Sequence, residues 1–318
     1  MKSYYKLFRC NNLLFITIFL CLMDKWVAVP LLQQGLWGEQ LPNLVLALLV
    51  VSVVLIAAGG YVINDYFDVK IDRINRPDDL VVSNTISKER AMLLFQILTA
   101  VGVLMGLGLS IYLRSWLLSM IYVLIPGILW FYSSSYKRQL ILGNIVVALI
   151  MALLPMMVVF ANVAQMSLKY GDVVQYSPVI SDLYLWIGGF SLFAFLCTWI
   201  REIVKDMQDQ VGDREYECHT LPICIGDVWT KVIVTILTLV VMTLLIWINY
   251  FVVPYPHDFS TMTTRFTIFG LLIPFACSLV LLWAAKLPSD YSTVQHLLKF
   301  IMFMGVMYSF VIHQQFAY

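Results

Sequence analysis

Residues 43–77 read NLVLALLVVSVVLIAAGGYVINDYFDVKIDRINRP, an apolar run over 43–63 that ends on one asparagine and three aspartates, Asn64, Asp65, Asp68 and Asp72. A bilayer core is crossed by an α-helix of about 20 predominantly apolar residues. The run therefore has the length of one membrane span. An isolated ionisable side chain in hydrocarbon costs roughly 2.5 to 3.5 kcal/mol on insertion scales, so acidic clusters there face a cavity or bind a cation. Taken alone, such a trio also fits a solvated loop boundary. The stretch is the first candidate site.

The rest of the chain agrees with a membrane class. Of 318 residues, 61% are hydrophobic and 12% charged, and the mean hydropathy is +0.86, against about 25% charged residues in a soluble domain. Nine apolar segments of spanning length are separated by polar or proline-rich breaks: 12–32, 43–63, 91–112, 116–132, 141–162, 182–203, 230–251, 265–285 and 297–316. The expected fold is an all-α bundle of nine transmembrane helices forming a single domain over residues 1–318. Arg114 and Ser115 make a thin boundary between the third and fourth segments, and Pro126, Pro155 and Pro274 are expected to kink their helices. The first run follows Lys2, Lys6 and Arg9 and has no small-residue cleavage site, as a retained helix does rather than a signal peptide.

The formal net charge of +1 offers no basic face to neutralise many phosphates, which argues against a nucleic-acid partner. Six scattered cysteines contain no C-x-x-C pair and read as small packing residues. His219, His257, His296 and His313 have no metal-ligand spacing. Placement of the basic residues is more informative than their number. With the N-terminus in the cytoplasm, sixteen of the 20 lysines and arginines fall in inside segments and only Arg114, Lys169 and Arg265 outside, Lys25 lying within the first helix. The positive-inside rule thus gives a cytoplasmic N-terminus and an outside C-terminus.

With that orientation, the charged connections after the second and sixth helices lie on the same, cytoplasmic, side. The second of them contains REIVKDMQDQVGD, residues 201–213. Asp65, Asp68 and Asp72 are spaced D-x-x-D-x-x-x-D, and so are Asp206, Asp209 and Asp213. At about 100° per residue, offsets of three and seven nearly complete whole turns, so each trio lies on a narrow helix face. Asn64 joins the first face and Glu202 the second. Carboxylates so close stay ionised only with a cation to hold them, and hard oxygen ligands select Mg²⁺ or Ca²⁺. Mg²⁺ is usually held by one or two carboxylates together with substrate phosphates. Arg73, Arg76, Lys137, Arg138, Arg201 and Lys205 occupy the same layer, so the pair of stripes reads as a diphosphate site. Each cation taken singly is as well explained by topology.

At these residues the chain resembles the UbiA-type intramembrane prenyltransferases. NDYFDVKIDRINRP is similar to the first signature of that family, REIVKDMQDQVGDREYECHTLP to the second, and FYSSSYKR at 131–138 to the intervening loop. The resemblance implies Mg²⁺-dependent transfer of a prenyl group from an allylic polyprenyl diphosphate to a lipophilic acceptor in a multi-pass membrane protein. The active site would face the cytoplasm, at the inner membrane in a bacterium. By position, Asn64, Asp68, Asp72, Asp209 and Asp213 match the catalytic core, while Asp65 and Asp206 match more variable positions of the metal set. Arg73, Tyr132, Lys137, Arg201 and Lys205 are the expected diphosphate-binding residues. The wording is most similar to the branch making digeranylgeranylglyceryl phosphate, which implies a glycerol-phosphate prenyl lipid as acceptor, with an aromatic acceptor of quinone synthesis as the alternative. Asp78 to Asn84 and Glu217-Cys218-His219 depart from the family pattern.

Two other functions fit a membrane protein with acidic residues. A cation or proton-coupled transporter would place its site near the midplane on broken helices, whereas these motifs sit at helix ends. A CDP-alcohol phosphotransferase would carry a DG-x-x-AR signature, which is absent. Within the first span, Asp24 and Lys25 are either a cavity-wall pair or satisfied internally. Neighbours i, i+1 do not face each other on an α-helix, so no mutual ion pair is expected. Trp26, Trp130, Trp199 and Trp247 read as packing or interface residues, and Gly59-Gly60 as a point of close helix approach.

Overall fold

The computed structural model describes all residues except 1, 36–39, 253–260 and 317–318, and the side chains of Asp79, Arg138, Asp172, Gln315 and Phe316 are also outside the description. His257 therefore lies outside the described residues, as does the side chain of Arg138. Among the described residues nine helices are long and apolar enough to cross a membrane: α1 (Cys10–Gln34), α2 (Asn43–Asn75), α3 (Lys88–Tyr112), α4 (Trp116–Ser134), α5 (Leu142–Tyr170), α6 (Pro178–Glu215), α7 (Asp227–Val252), α8 (Met262–Ala284) and α9 (Pro288–Gln314). A six-residue helix, Lys2–Leu7, precedes α1. The only pairing of strand type among them is an isolated bridge between Val82 and Ile86.

Two helices run well past the apolar segments that define them. The helix α2 continues from 63 to Asn75 and α6 from 203 to Glu215. Hydropathy marks the bilayer, not the helix end. Nothing in 64–75 breaks a helix, and termination waits for Pro77, whose ring disfavours helical geometry in the residue before it. Both acidic stripes are consequently helical throughout. The thin boundary at 114–115 is built from a left-handed Arg114, φ 50°, and from Ser115, whose hydroxyl caps α4 by accepting from the Leu118 N–H at 3.4 Å.

The chain forms two compact units. The first comprises residues 1–137 and 153–188, the second 138–152 and 189–318. In the first unit α2 and α3 pack most extensively, and glycines set their approach. A Cβ on Gly59 would lie 2.5 Å from the Thr99 hydroxyl, and one on Gly102 would lie 2.9 Å from the Ser52 carbonyl. Small residues at such positions let backbones close together where no hydrophobic force between helices exists. The connection after α2 closes this unit: Val81, Val82 and Ile86 are buried with Leu7, Val62, Val69 and Ala91. The stretch 78–84 that departs from the family pattern is thus partly core.

In the second unit Phe193 meets Phe275 edge-on. Lys231 is buried, and its ammonium donates to the Ala285 carbonyl at 2.6 Å. That satisfies an orphan carbonyl at the end of α8, as basic residues do at helix C-termini. A buried lysine counted as a topology signal has a structural use.

The first span corrects one expectation. Met23–Ala28 is a π-helical turn within α1. There the Lys25 ammonium lies 3.1 Å from Asp24 Oδ2, with Asp24 fully buried. The wider π turn sets neighbouring side chains closer in angle than an α-helix does, so the i, i+1 pair forms after all. The Asn162 amide also donates to Asp24 Oδ1 at 2.9 Å. Inside the first unit an amide thus serves Oδ1, while Oδ2 has the Lys25 charge beside it and no hydrogen-bond partner among the described residues.

Candidate functional site

The first acidic stripe lies on the last three turns of α2. Asn64 and Asp68 are buried, 7% and 4% exposed, and the Asn64 amide donates to Asp68 Oδ2 at 2.7 Å. Residues i and i+4 share a helix face, which is why this bond can form. The Lys137 ammonium donates to the same oxygen. Lys137 sits in a single 3₁₀ turn, Tyr136–Arg138, immediately after α4, whose last turn carries Tyr132. The loop expected to hold a diphosphate thus reaches the first motif. Asp72 lies one further turn along and is half-buried, while Arg73 is exposed.

Asp65 has a different partner. The Arg9 guanidinium donates to Asp65 Oδ1 at 2.9 Å and stands 5.0 Å from the centre of the Tyr61 ring, within cation–π range. Desolvation of Arg9 works against its charge, but Asp65, then Tyr61 and Asp68, outweigh it and hold the guanidinium above its ordinary value. Arg9 itself is left-handed, φ 49° and ψ 54°, a conformation that costs a non-glycine residue roughly 1 to 2 kcal/mol. From sequence, Arg9 stands only as a topology charge before the first span.

The second stripe lies on the C-terminal turns of α6. Glu202 and Asp213 are buried. Arg201 pairs with Glu202, and Lys205, one turn on, lies 3.9 Å from it. The Nε of Arg201 is buried with no hydrogen-bond partner among the described residues, so one donor of this fork remains. Asp206 accepts from the Asn144 amide at 2.8 Å. Gln210 donates to Asp227 at 2.7 Å and Gln295 donates to Gln208, which fixes the flanks of the stripe. Asn144 was missed from sequence, although an asparagine in an apolar span is itself a signal.

Each unit brings some of the predicted residues of its own motif into contact. The first brings together Asn64, Asp68 and Lys137, the second Glu202, Arg201, Lys205 and Asp206 with Asn144. Among the described residues no group of three or more His, Cys, Asp or Glu side chains could hold a metal ion unaided. The donors are hard oxygens with adjacent cations. That set suits a divalent cation whose remaining ligands are phosphate oxygens.

Comparison with known proteins decides the class. Residues 26–307 match the model of the UbiA prenyltransferase family. The chain belongs to the UbiA prenyltransferase family. It is 33% identical to the digeranylgeranylglyceryl phosphate synthase of Sulfurisphaera tokodaii over 257 residues, 79% of each chain. The synthase of Methanosphaera stadtmanae is 34% identical over 206 residues, 64% of this chain and 67% of the relative. Among solved structures, a UbiA homolog from Aeropyrum pernix superposes with a TM-score of 0.62 at 16% identity, over 92% of this chain and 98% of that one. A UbiA homolog from Archaeoglobus fulgidus bound to GPP and Mg²⁺ gives 0.58 at 16% identity, over 98% and 99%. These structural likenesses show the fold.

Proposed function

We propose that this UbiA-family protein transfers a prenyl group from an allylic polyprenyl diphosphate to a glycerol-phosphate prenyl lipid, with Mg²⁺, at the cytoplasmic face of the membrane. The observation that carries the reading is the meeting of Asn64, Asp68 and Lys137 on a carboxylate stripe whose spacing recurs on α6. In this reading the metal draws its carboxylates from Asp65, Asp68 and Asp72 and from Asp206, Asp209 and Asp213, with Asn64 orienting Asp68. Lys137, Tyr132, Arg73, Arg201 and Lys205 serve the diphosphate, and the open Nε of Arg201 supports that role. The acceptor class is supported by relatives named as digeranylgeranylglyceryl phosphate synthases. The distribution of lysine and arginine supports a cytoplasmic N-terminus and an outside C-terminus.

The chemistry asks for stabilisation of a leaving group. The bond between prenyl C1 and the diphosphate oxygen breaks, its electron pair leaves with the diphosphate, and the acceptor oxygen bonds to C1 and loses its proton, which the released diphosphate takes up. Bound Mg²⁺ would act as a Lewis acid on the diphosphate oxygens. Lys137 and Arg201, preorganised beside the carboxylates, would meet the charge that develops there. The apolar helices hold the prenyl tail and exclude water that would capture the allylic cation.

The test is to incubate the purified protein with labelled prenyl diphosphates of several lengths and a panel of glycerol-phosphate lipids and aromatic acids, identifying products by mass. A prenylated glycerol-phosphate lipid, lost with EDTA and regained with Mg²⁺, is expected. Product formed only from the aromatic acids would move the assignment to the quinone-type acceptor. Turnover indifferent to chelation would remove the metal from the mechanism. Cation flux through proteoliposomes, in the absence of any product, would favour a transporter.

A further inference from the structure

The segment LFRCNN, residues 7–12, ties the N-terminus to the first motif. Leu7 is fully buried in the cluster that holds Val62 and Val69 of α2. The next short stretch leaves helical geometry at the left-handed Arg9, whose N–H donates to the Lys6 carbonyl at 3.0 Å and whose carbonyl accepts from Asn12 at 2.7 Å. Arg9 is thereby held on both sides by backbone bonds. Its side chain is aimed at α2, where Tyr61, Asp65, Asp68 and Asp72 follow at offsets of four, seven and eleven, all on one face.

The guanidinium is fixed on three sides: by the strained backbone, by the Tyr61 ring and by the 2.9 Å bond to Asp65. A planar fork so held is not a mobile counter-ion. Lysine ammonium on a flexible stem can follow an arriving phosphate, whereas a stacked arginine commits its carboxylate. The first motif therefore contains two kinds of aspartate. Asp68 is served by the flexible Lys137 and by Asn64, and Asp65 by Arg9.

We propose that Arg9 is a positioning residue that withdraws Asp65 from the metal, leaving Asn64, Asp68 and Asp72 as the working face of the first motif. This rests on the reading of α2 as one wall of a Mg²⁺–diphosphate site and narrows its ligand set. Arg9 lies outside residues 26–307, where the family model matches, so the inference stands on this chain's own contacts.

The experiment uses the full-length protein in detergent, with Mn²⁺ and inorganic pyrophosphate as probes, and compares wild type with Arg9→Gln, Arg9→Lys, Asp65→Asn and the Arg9→Gln/Asp65→Asn double variant. Bound Mn²⁺ is counted by electron paramagnetic resonance, and melting in EDTA is recorded alongside kcat and KM. Asp65→Asn should keep the wild-type number of bound Mn²⁺ ions. Arg9→Gln should release the Asp65 carboxylate towards the metal, lowering the half-saturating Mn²⁺ concentration about tenfold while lowering the melting midpoint, Arg9→Lys should reverse part of both, and the double variant should return the Mn²⁺ affinity towards the wild-type value. Loss of a bound Mn²⁺ in Asp65→Asn would make Asp65 a ligand and overturn the proposal. So would an effect of Arg9→Gln on Mn²⁺ affinity that persists unchanged in the double variant, because Arg9 would then act independently of Asp65. If Arg9→Gln fails to fold, the Mn²⁺ count in Asp65→Asn still decides. Wild-type protein that takes up no Mn²⁺ with pyrophosphate would overturn the metal–diphosphate reading itself, and the proposal with it.

Discussion

On α2 the motif carboxylates are held by cations brought from elsewhere in the chain, Arg9 to Asp65 and Lys137 to Asp68. On α6 the cations come from the same helix and meet Glu202, while Asp206 is held by a neutral amide, Asn144. The spacing of the aspartates is identical, and the means of holding them is not. A cation neutralises a buried carboxylate, whereas an amide orients it and leaves its charge in place. Asp65 and Asp68 are thus stabilised as ion pairs, whereas Asp206 is oriented by a hydrogen bond and the ion pairs of α6 fall on Glu202. Equivalent substitutions in the two stripes should therefore behave differently, and the following variants test that difference.

The largest effect is expected where the two stripes are alike. Asp68→Asn and Asp209→Asn each remove one carboxylate of the core set, and losing a preorganised electrostatic group of this kind costs about 10²- to 10³-fold in rate. Both should abolish detectable prenyl transfer while the protein remains in the membrane fraction. Full activity in either would separate the two stripes functionally and break the comparison.

Lys137→Met should come next. It leaves Asp68, 4% exposed, with the Asn64 amide but without its bonded ammonium. Breaking a fully buried pair costs about 3 to 5 kcal/mol, and because the Lys137 side chain is 19% exposed a smaller penalty, roughly 2 kcal/mol, is appropriate. Melting of the metal-free protein should fall accordingly, and KM for the prenyl diphosphate should rise. A variant with unchanged KM and lowered stability would confine Lys137 to holding Asp68.

Much of this is legible in the sequence. Periodicity alone set Asp65, Asp68 and Asp72 on one face, because offsets of three and seven fit a helix, and the cost of carboxylates beside hydrocarbon marked them. The true ends of α2 and α6 were not legible, since hydropathy stops at 63 and 203 while the helices continue to Asn75 and Glu215. The Asp24–Lys25 pair was misread, because a π turn changes the angle between neighbours without any sequence signature. Arg9 was hidden for another reason: a basic residue before a first span already has an explanation in membrane orientation. Its tie to Asp65 spans 56 positions, and no local pattern reports such a contact. Asn144 and Asn162 carried a signal of a weaker sort, as polar residues inside apolar runs, and each holds an aspartate in its own unit.

Asn144→Leu gives the smallest of the expected effects and the sharpest contrast with Lys137→Met. It removes one hydrogen bond from Asp206 and no charge from the unit. A hydrogen bond to a charged group contributes about 1.5 to 3 kcal/mol, but the lysine on the same helix, Lys205, remains near the site, so a loss at the lower end is expected. Activity should drop several-fold through kcat, as Asp206 loses its orientation, with KM for the diphosphate close to wild type. If Asn144→Leu instead raised KM as strongly as Lys137→Met, amide and ammonium would be doing the same job on the two stripes, and the distinction between an ion-paired Asp68 on α2 and an amide-ordered Asp206 on α6 would fall.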